Sequence, residues 1–208
     1  MSGLSAKSSL LNAMLKAVYL VRHGETAWTV SGQHTGLTDL PLIPRGEQDA
    51  HRLRERLKGI TFNHVFTSPL QRASRTCTLA GFGPVATVDD ELVEWNYGAY
   101  EGKTTAEIHS QQPGWDLFQD GCPGGESVAA IANRADRVIG RLRSMDGCVL
   151  LFSSGHFLRV LASRWLGLNI ETGRYLSLDP AALSIVGYEH EQDSPVIRLW
   201  NDYGRAAD

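Results

Sequence analysis

The chain is poor in cysteine, has no cluster of basic residues and has no apolar run long enough to cross a bilayer. Each lack argues against a class of protein. Cys77, Cys122 and Cys148 are odd in number, scattered and without Cys-x-x-Cys spacing. That disfavours a disulfide framework or a cysteine zinc site and fits reduced thiols in a cytoplasmic protein. Cys77 and Cys148 sit among apolar neighbours and read as core residues. A net charge of −3 with no Lys/Arg run argues against a nucleic-acid surface. The early patch Leu-Leu-Asn-Ala-Met-Leu is too short for a membrane span, so residues 1–16 read as a loose N-terminal arm and 17–208 as one domain. His34, His51, His64, His109 and His190 lack metal-ligand spacing and read as surface or structural residues.

What remains is material for one sizeable core: 208 residues, 42% of them hydrophobic. Short apolar runs at 17–21, 64–67, 85–88 and 148–152 have the length and β-branched content of buried strands. Helical patterns lie between them. Ala50, Leu53 and Leu57 recur at helical spacing before Gly59, and residues 127–144 carry a long apolar stripe. Ser68, Pro69 and Gln71 read as the cap and first turn of a helix, and Thr104 with Glu107 as a capping box. Runs at 183–188 and 195–200 could form a hairpin at the sheet edge. This alternation predicts an α/β fold of three layers, a mostly parallel sheet with helices on both faces.

Such sheets bind ligands beyond the C-terminal ends of their strands. There the first strand delivers Arg22 and His23, the second Ser68 and Arg72, and the 148–152 strand Ser153, Ser154 and His156. Two arginines grip an oxyanion bidentately, and helix N-termini at Ser68 and Gly155 would add backbone donors. A histidine beside a phosphoryl group serves as nucleophile, base or donor. Glu91, Glu94 and Glu101 are the candidate acids. Glu94 has the most aromatic setting, beside Trp95, Tyr97 and Tyr100, and burial among rings keeps a carboxyl usable as an acid. Taken singly, Arg72 also reads as a solvated helix arginine, Glu94 as a surface acid and the aromatic cluster as core. Which of Ser153, Ser154 and His156 would act is left open by the residues alone.

Taken in order, LVRHGETAW, GLTDLPLIPRGEQDA, TSPLQRASRT, LVEWNYGAYEG, GCPGGES and SSGHFLRVLASRWLGL resemble the motifs of the histidine phosphatase superfamily from about residue 17 onward. The resemblance implies a phosphoglycerate mutase-like fold. It also implies a nucleophilic His23 that becomes phosphohistidine, Arg22 and Arg72 on the phosphoryl oxygens, and Glu94 as proton donor. Thr29, Thr35, Gly36 and Gly155 would complete the phosphate and substrate contacts, with no metal or organic cofactor. EWNYGAYEG and DGCPGGES are more similar to the acid phosphatase and sugar-bisphosphatase branch than to the mutases, and Thr29 stands where mutases usually carry Asn. The implied ligand is a small phosphorylated metabolite, a sugar phosphate or a phosphoglycerate-like acid, with no nucleic-acid or membrane partner and the oligomeric state open. One position departs from the family. Ser154 stands where the second catalytic histidine is expected, and His156 follows two residues later. A slowed phosphatase, a pseudo-phosphatase that only binds phosphorylated ligands, and a mutase-like transferase are the three readings this leaves.

Overall fold

Alternating apolar residues along two central strands sort the chain into two cores. In the computed structural model, residues 14–190 and 193–204 are described. Among them β1 (Leu15–Arg22), β2 (His64–Thr67), β3 (Thr87–Val88), β4 (Gly147–Ser153), β5 (Leu183–Tyr188) and β6 (Pro195–Asp202) form one sheet in the order β3-β2-β4-β1-β5-β6. β4 runs parallel to β1 and β2, and β2 parallel to β3. β5 and β6 are the antiparallel hairpin expected at the edge. The helices are α1 (Ala27–Ser31), α2 (Pro44–Leu57), α3 (Gln71–Leu79), α4 (Thr105–Gln111), α5 (Leu117–Asp120), α6 (Val128–Arg143) and α7 (Gly155–Trp165).

Because strand side chains alternate between faces, Val18, Leu20, Val149 and Leu151 enter one core with α6 and α7. Val21, Leu150 and Phe152 enter a second core with Leu53 and Leu57 of α2 and Cys77 of α3. Helices therefore cover both faces of a mostly parallel sheet, as expected. The stripe on α6 is the one read from the sequence, with Ile131, Ala135, Val138, Ile139 and Leu142 buried. α2 buries Ala50, Leu53 and Leu57, and Gly59 follows at φ +81°. The Thr104–Glu107 capping box is formed, each residue accepting from the other's backbone N–H.

Four expectations need correction. β1 begins at Leu15, so Leu15 and Lys16 belong to the sheet; residues 1–13 of the expected arm lie outside the described residues. The 85–88 run is not a buried strand: only Thr87 and Val88 pair, at the exposed sheet edge, after a 3₁₀ turn over Gly83–Val85. Ser68 does not cap α3, which starts at Gln71 after Leu70. The Gln71 N–H donates to Asp39 Oδ1 at 2.8 Å, so a carboxylate from another segment satisfies the helix start. Cys148 is half-buried, whereas Cys77 is fully buried and its thiol is pushed up to about 12 by burial.

Candidate active site

Register places the rim. Arg22 pairs with Ser153 and Thr67 with Phe152, so three parallel strands end level. The next residues leave the sheet together, tied by His23 N–H to Ser153 O (2.9 Å) and Ser68 N–H to Phe152 O (2.9 Å). His23 is buried, and its Nδ1 lies 2.8 Å from the Gly24 carbonyl oxygen. A carbonyl only accepts, so Nδ1 carries the proton and Nε2 keeps its lone pair. Burial, reinforced by Arg72 and then Arg22, holds the imidazole well below its usual 6.5, against the opposing Gly24 bond. His23 is thus a neutral base with Nε2 free.

The two arginines are held by carbonyls rather than carboxylates. Arg22 donates through Nη1 to Leu178 O. Arg72 is no solvated helix arginine: it is fully buried, and donates to Thr38 O (2.9 Å), Thr35 O (3.2 Å) and Gly36 O (2.7 Å). The Nε atoms of both are buried without a hydrogen-bond partner among the described residues. Glu101 supports this clamp by accepting from the N–H groups of Gly36 (2.8 Å) and Thr38 (3.2 Å). Gly36 and Thr35 therefore meet Arg72 through their carbonyls, and the Gly36 N–H is already bonded.

The three candidate acids separate cleanly. Glu91 pairs with Arg137 and Arg141 near the surface, and Glu101 holds the 36–38 turn. Glu94 is buried at the rim. Its Oε1 accepts from Trp95 N–H (2.9 Å) and Phe157 N–H (2.7 Å), its Oε2 from His156 N–H (2.9 Å). The N–H donors expected to face a bound anion at the start of α7 are thus turned on Glu94. Arg134 carries the loop behind it, donating to the carbonyls of Glu91, Val93 and Glu94 and forking onto Glu126. Gly98 (φ +52°) packs so closely that a Cβ there would lie 2.3 Å from Gly125 N.

The α7 start sends Ser153, Ser154 and His156 to three different settings. Ser153 Oγ turns inward to Leu92 O at 2.6 Å, away from the rim. Ser154 is the N-cap residue, but the N–H groups it would cap already donate to Glu94, and its buried Oγ has no partner among the described residues. Gly155 admits Arg22, whose Nε would be 3.1 Å from a Cβ at that position. His156 Nδ1 lies 2.6 Å from the Tyr97 hydroxyl. Burial, then Arg159, His34 and Arg22, push the His156 imidazole well below 6.5. Burial, then Glu94, push Tyr97 well above 10, so its hydroxyl keeps its proton and can donate to His156.

A pocket of about 180 Å³ opens over this rim, lined by Arg22, His23, Thr29, Thr35, Glu94, Gly155 and His156 among the expected residues. Arg72, Gly36 and Ser154 are buried and do not line it. Thr29 spends its hydroxyl locally, accepting from Thr26 N–H and donating to Thr26 O at the start of α1. Of the lining residues that the sequence did not place at the site, His34 and Arg159 are the two with basic side chains. His34, read as surface or structural, has its ring 4.9 Å from Tyr97 and 6.0 Å from His156. Arg159 lies on α7 four residues after Gly155, a helical spacing that could have flagged it. Among the described residues no group of three His, Cys, Asp or Glu side chains could hold a metal ion, and no helix is long and apolar enough to cross a membrane.

Comparison with known proteins bears on the fold and the family. The family model described as histidine phosphatase superfamily (branch 1) matches residues 18–203. An acid phosphatase of Mycobacterium tuberculosis is 39% identical over 177 residues, 82% of this chain and 86% of that protein. A sedoheptulose 1,7-bisphosphatase of Saccharomyces cerevisiae is 36% identical over 186 residues, 73% of this chain and 68% of that protein. The solved structure of an open-reading-frame product from Mycobacterium tuberculosis superposes with a TM-score of 0.85 at 35% identity, covering 91% of this chain and 99% of that one.

Proposed function

The chain belongs to branch 1 of the histidine phosphatase superfamily, and from that premise we propose that it hydrolyses small phosphate monoesters through a phosphohistidine on His23. The substrates are sugar phosphates or phosphoglycerate-like acids. One observation carries this reading: a neutral His23 with Nε2 free, buried beside two guanidiniums whose Nε donors are unspent. The Nε2 lone pair attacks phosphorus and the ester P–O bond breaks. Arg22 and Arg72 meet the charge on the non-bridging oxygens. Glu94 gives a proton to the departing alkoxide. Water then attacks the phosphohistidine while Glu94 takes its proton, releasing phosphate and restoring neutral His23.

Ser154 bears on the rate. At the position of the family's second histidine it offers a neutral hydroxyl and no cation, and losing one preorganised donor typically costs about 2.7–4 kcal/mol, on the order of a hundred- to a thousandfold. The same residue favours a second reading, a pseudo-phosphatase that holds phosphorylated ligands without turnover. A colorimetric phosphatase assay from mildly acidic to neutral pH separates them, with intact-mass analysis under acid-free quenching. Turnover lost in His23→Ala, with an acid-labile phosphoenzyme in the parent, supports hydrolysis. Phosphate binding without turnover supports the binder, and label on Ser154 would overturn the assignment of His23.

A further inference from the structure

We propose that Glu101 is a positioning residue for phosphate binding, holding the guanidinium of Arg72 in place through a peptide group that the two side chains share. The inference rests on the reading that Arg72 grips phosphoryl oxygens and adds the residue that aims it.

The peptide joining Thr35 to Gly36 is the link. Its carbonyl accepts from Arg72 Nη2 at 3.2 Å, and its N–H donates to Glu101 Oε1 at 2.8 Å. A trans peptide points its N–H and C=O in opposite directions, so Arg72 and Glu101 sit on opposite sides of it. Hydrogen bonds in such a chain polarise one another, and the carboxylate strengthens the carbonyl that Arg72 meets. The same Oε1 takes a second N–H, from Thr38 at 3.2 Å, and Thr38 O accepts from Arg72 Nη1 at 2.9 Å. Gly36 O, at 2.7 Å from Nη2, is the third carbonyl. The whole cradle of Arg72 is thus one turn fastened to one oxygen.

That turn has little else to fix it. Residues 36–40 belong to no helix or strand, and Leu37 is exposed. Glu101, by contrast, is well placed: Gly102 N–H donates to His34 O and His34 N–H to Lys103 O, both at 2.9 Å, so its segment lies alongside residues 34–36. The approach is close enough to need glycine, since a Cβ on Gly36 would lie 2.5 Å from Glu101 Oε2 and 2.7 Å from Trp95 O. An indirect hold also suits the task. Arg134 is gripped directly by Glu126 on Nε and Nη2, which uses its charge and its donors. No carboxylate among the described residues pairs with Arg72, and its Nε stays unspent. A carboxylate acting through a peptide fixes the guanidinium and leaves its donors for a ligand.

Titration calorimetry with inorganic phosphate at pH 7, read beside kcat and KM on nitrophenyl phosphate, tests this in two variants of similar reach. Glu101→Met removes the acceptor, and Glu101→Gln keeps an oxygen where Oε1 stands. Phosphate should bind about ten- to a hundredfold more weakly to Glu101→Met, the range of a charge-assisted contact, with KM raised and kcat lowered together. Glu101→Gln should recover most of the loss, because one oxygen takes both bonds. Glu101→Ala serves if the methionine variant fails to fold. Phosphate affinity and kinetics unmoved in a folded variant, whatever its Tm, overturn the role, as does a glutamine variant as weak as the methionine one. Loss and rescue of phosphate affinity with no turnover by the parent protein sink the phosphatase reading alone. Turnover by the parent protein with Glu101→Met unmoved sinks the positioning role alone, and a parent protein that neither binds phosphate nor turns over ester overturns both.

Discussion

The two sides of the pocket are built by different rules. On one side Arg22 and His23 leave the end of β1 and Arg72 stands at the start of α3, all directed by strand register and held by carbonyls. On the other, Glu94 comes from an irregular loop and becomes the cap of α7, a contact 62 residues apart in sequence. The first side is stiff because a sheet makes it. The second is stiff only because Glu94, Arg134 and the α7 backbone hold one another. The His23 side should therefore tolerate changes on the Glu94 side in its structure, though not in the rate of the proposed hydrolysis.

The largest expected effect is on that asymmetry in chemistry. Glu94→Gln should slow sugar phosphate hydrolysis by about 10²–10⁴-fold but nitrophenyl phosphate far less, because an activated phenol leaves with little protonation. Equal losses on both, read from kcat/KM, would move the acid elsewhere. Next comes the position between the two sides. Ser154→His should raise turnover on the order of a hundredfold. His156→Ala should be mild, since its Nδ1 is tied to the Tyr97 hydroxyl; if it abolishes turnover and Ser154→His adds little, His156 fills the missing role.

A stability change sharpens the contrast. Arg134→Met removes one partner of a largely buried ion pair and strips three loop carbonyls of their donor. It should cost about 3–5 kcal/mol in urea unfolding and lower kcat. Arg56→Ala, which breaks a more exposed pair with Asp202, should cost less than about 1 kcal/mol. The smallest effect is in pH. His23 and His156 bind a proton less readily folded than unfolded, so the unfolded chain takes up more protons on acidification. Their contribution to stability is complete above about 6.5 and is lost as pH falls from there towards the lower folded values. Tm should fall over that window, and His156→Gln should flatten the fall; an unchanged slope would mean that His156 is not held neutral.

Much of this is legible in the sequence. The strand cores at 17–21, 64–67 and 148–152, the α6 stripe and the Thr104–Glu107 box are local patterns, and local patterns survive folding here. The 85–88 run misled because apolar content does not reveal that a strand lies at an exposed edge. Ser68 misled because a serine before proline looks like a cap, while Asp39, from a distant segment, supplies the acceptor. His34 and Arg159 lie close in sequence to the expected Thr35 and Gly155, but closeness in sequence does not say which neighbouring side chains turn into the pocket.

Residue order alone determined that Arg22 and His23 sit at the end of one strand and Ser154 at the end of a neighbouring one. The alternation of apolar side chains sets where each strand is buried, and parallel register brings the ends level. Only the tertiary structure decided which carboxylate would meet the α7 N–H groups. Any acid of suitable reach satisfies those donors, and the choice of Glu94 follows from packing its loop against Arg134 and Gly125, contacts that no local pattern encodes.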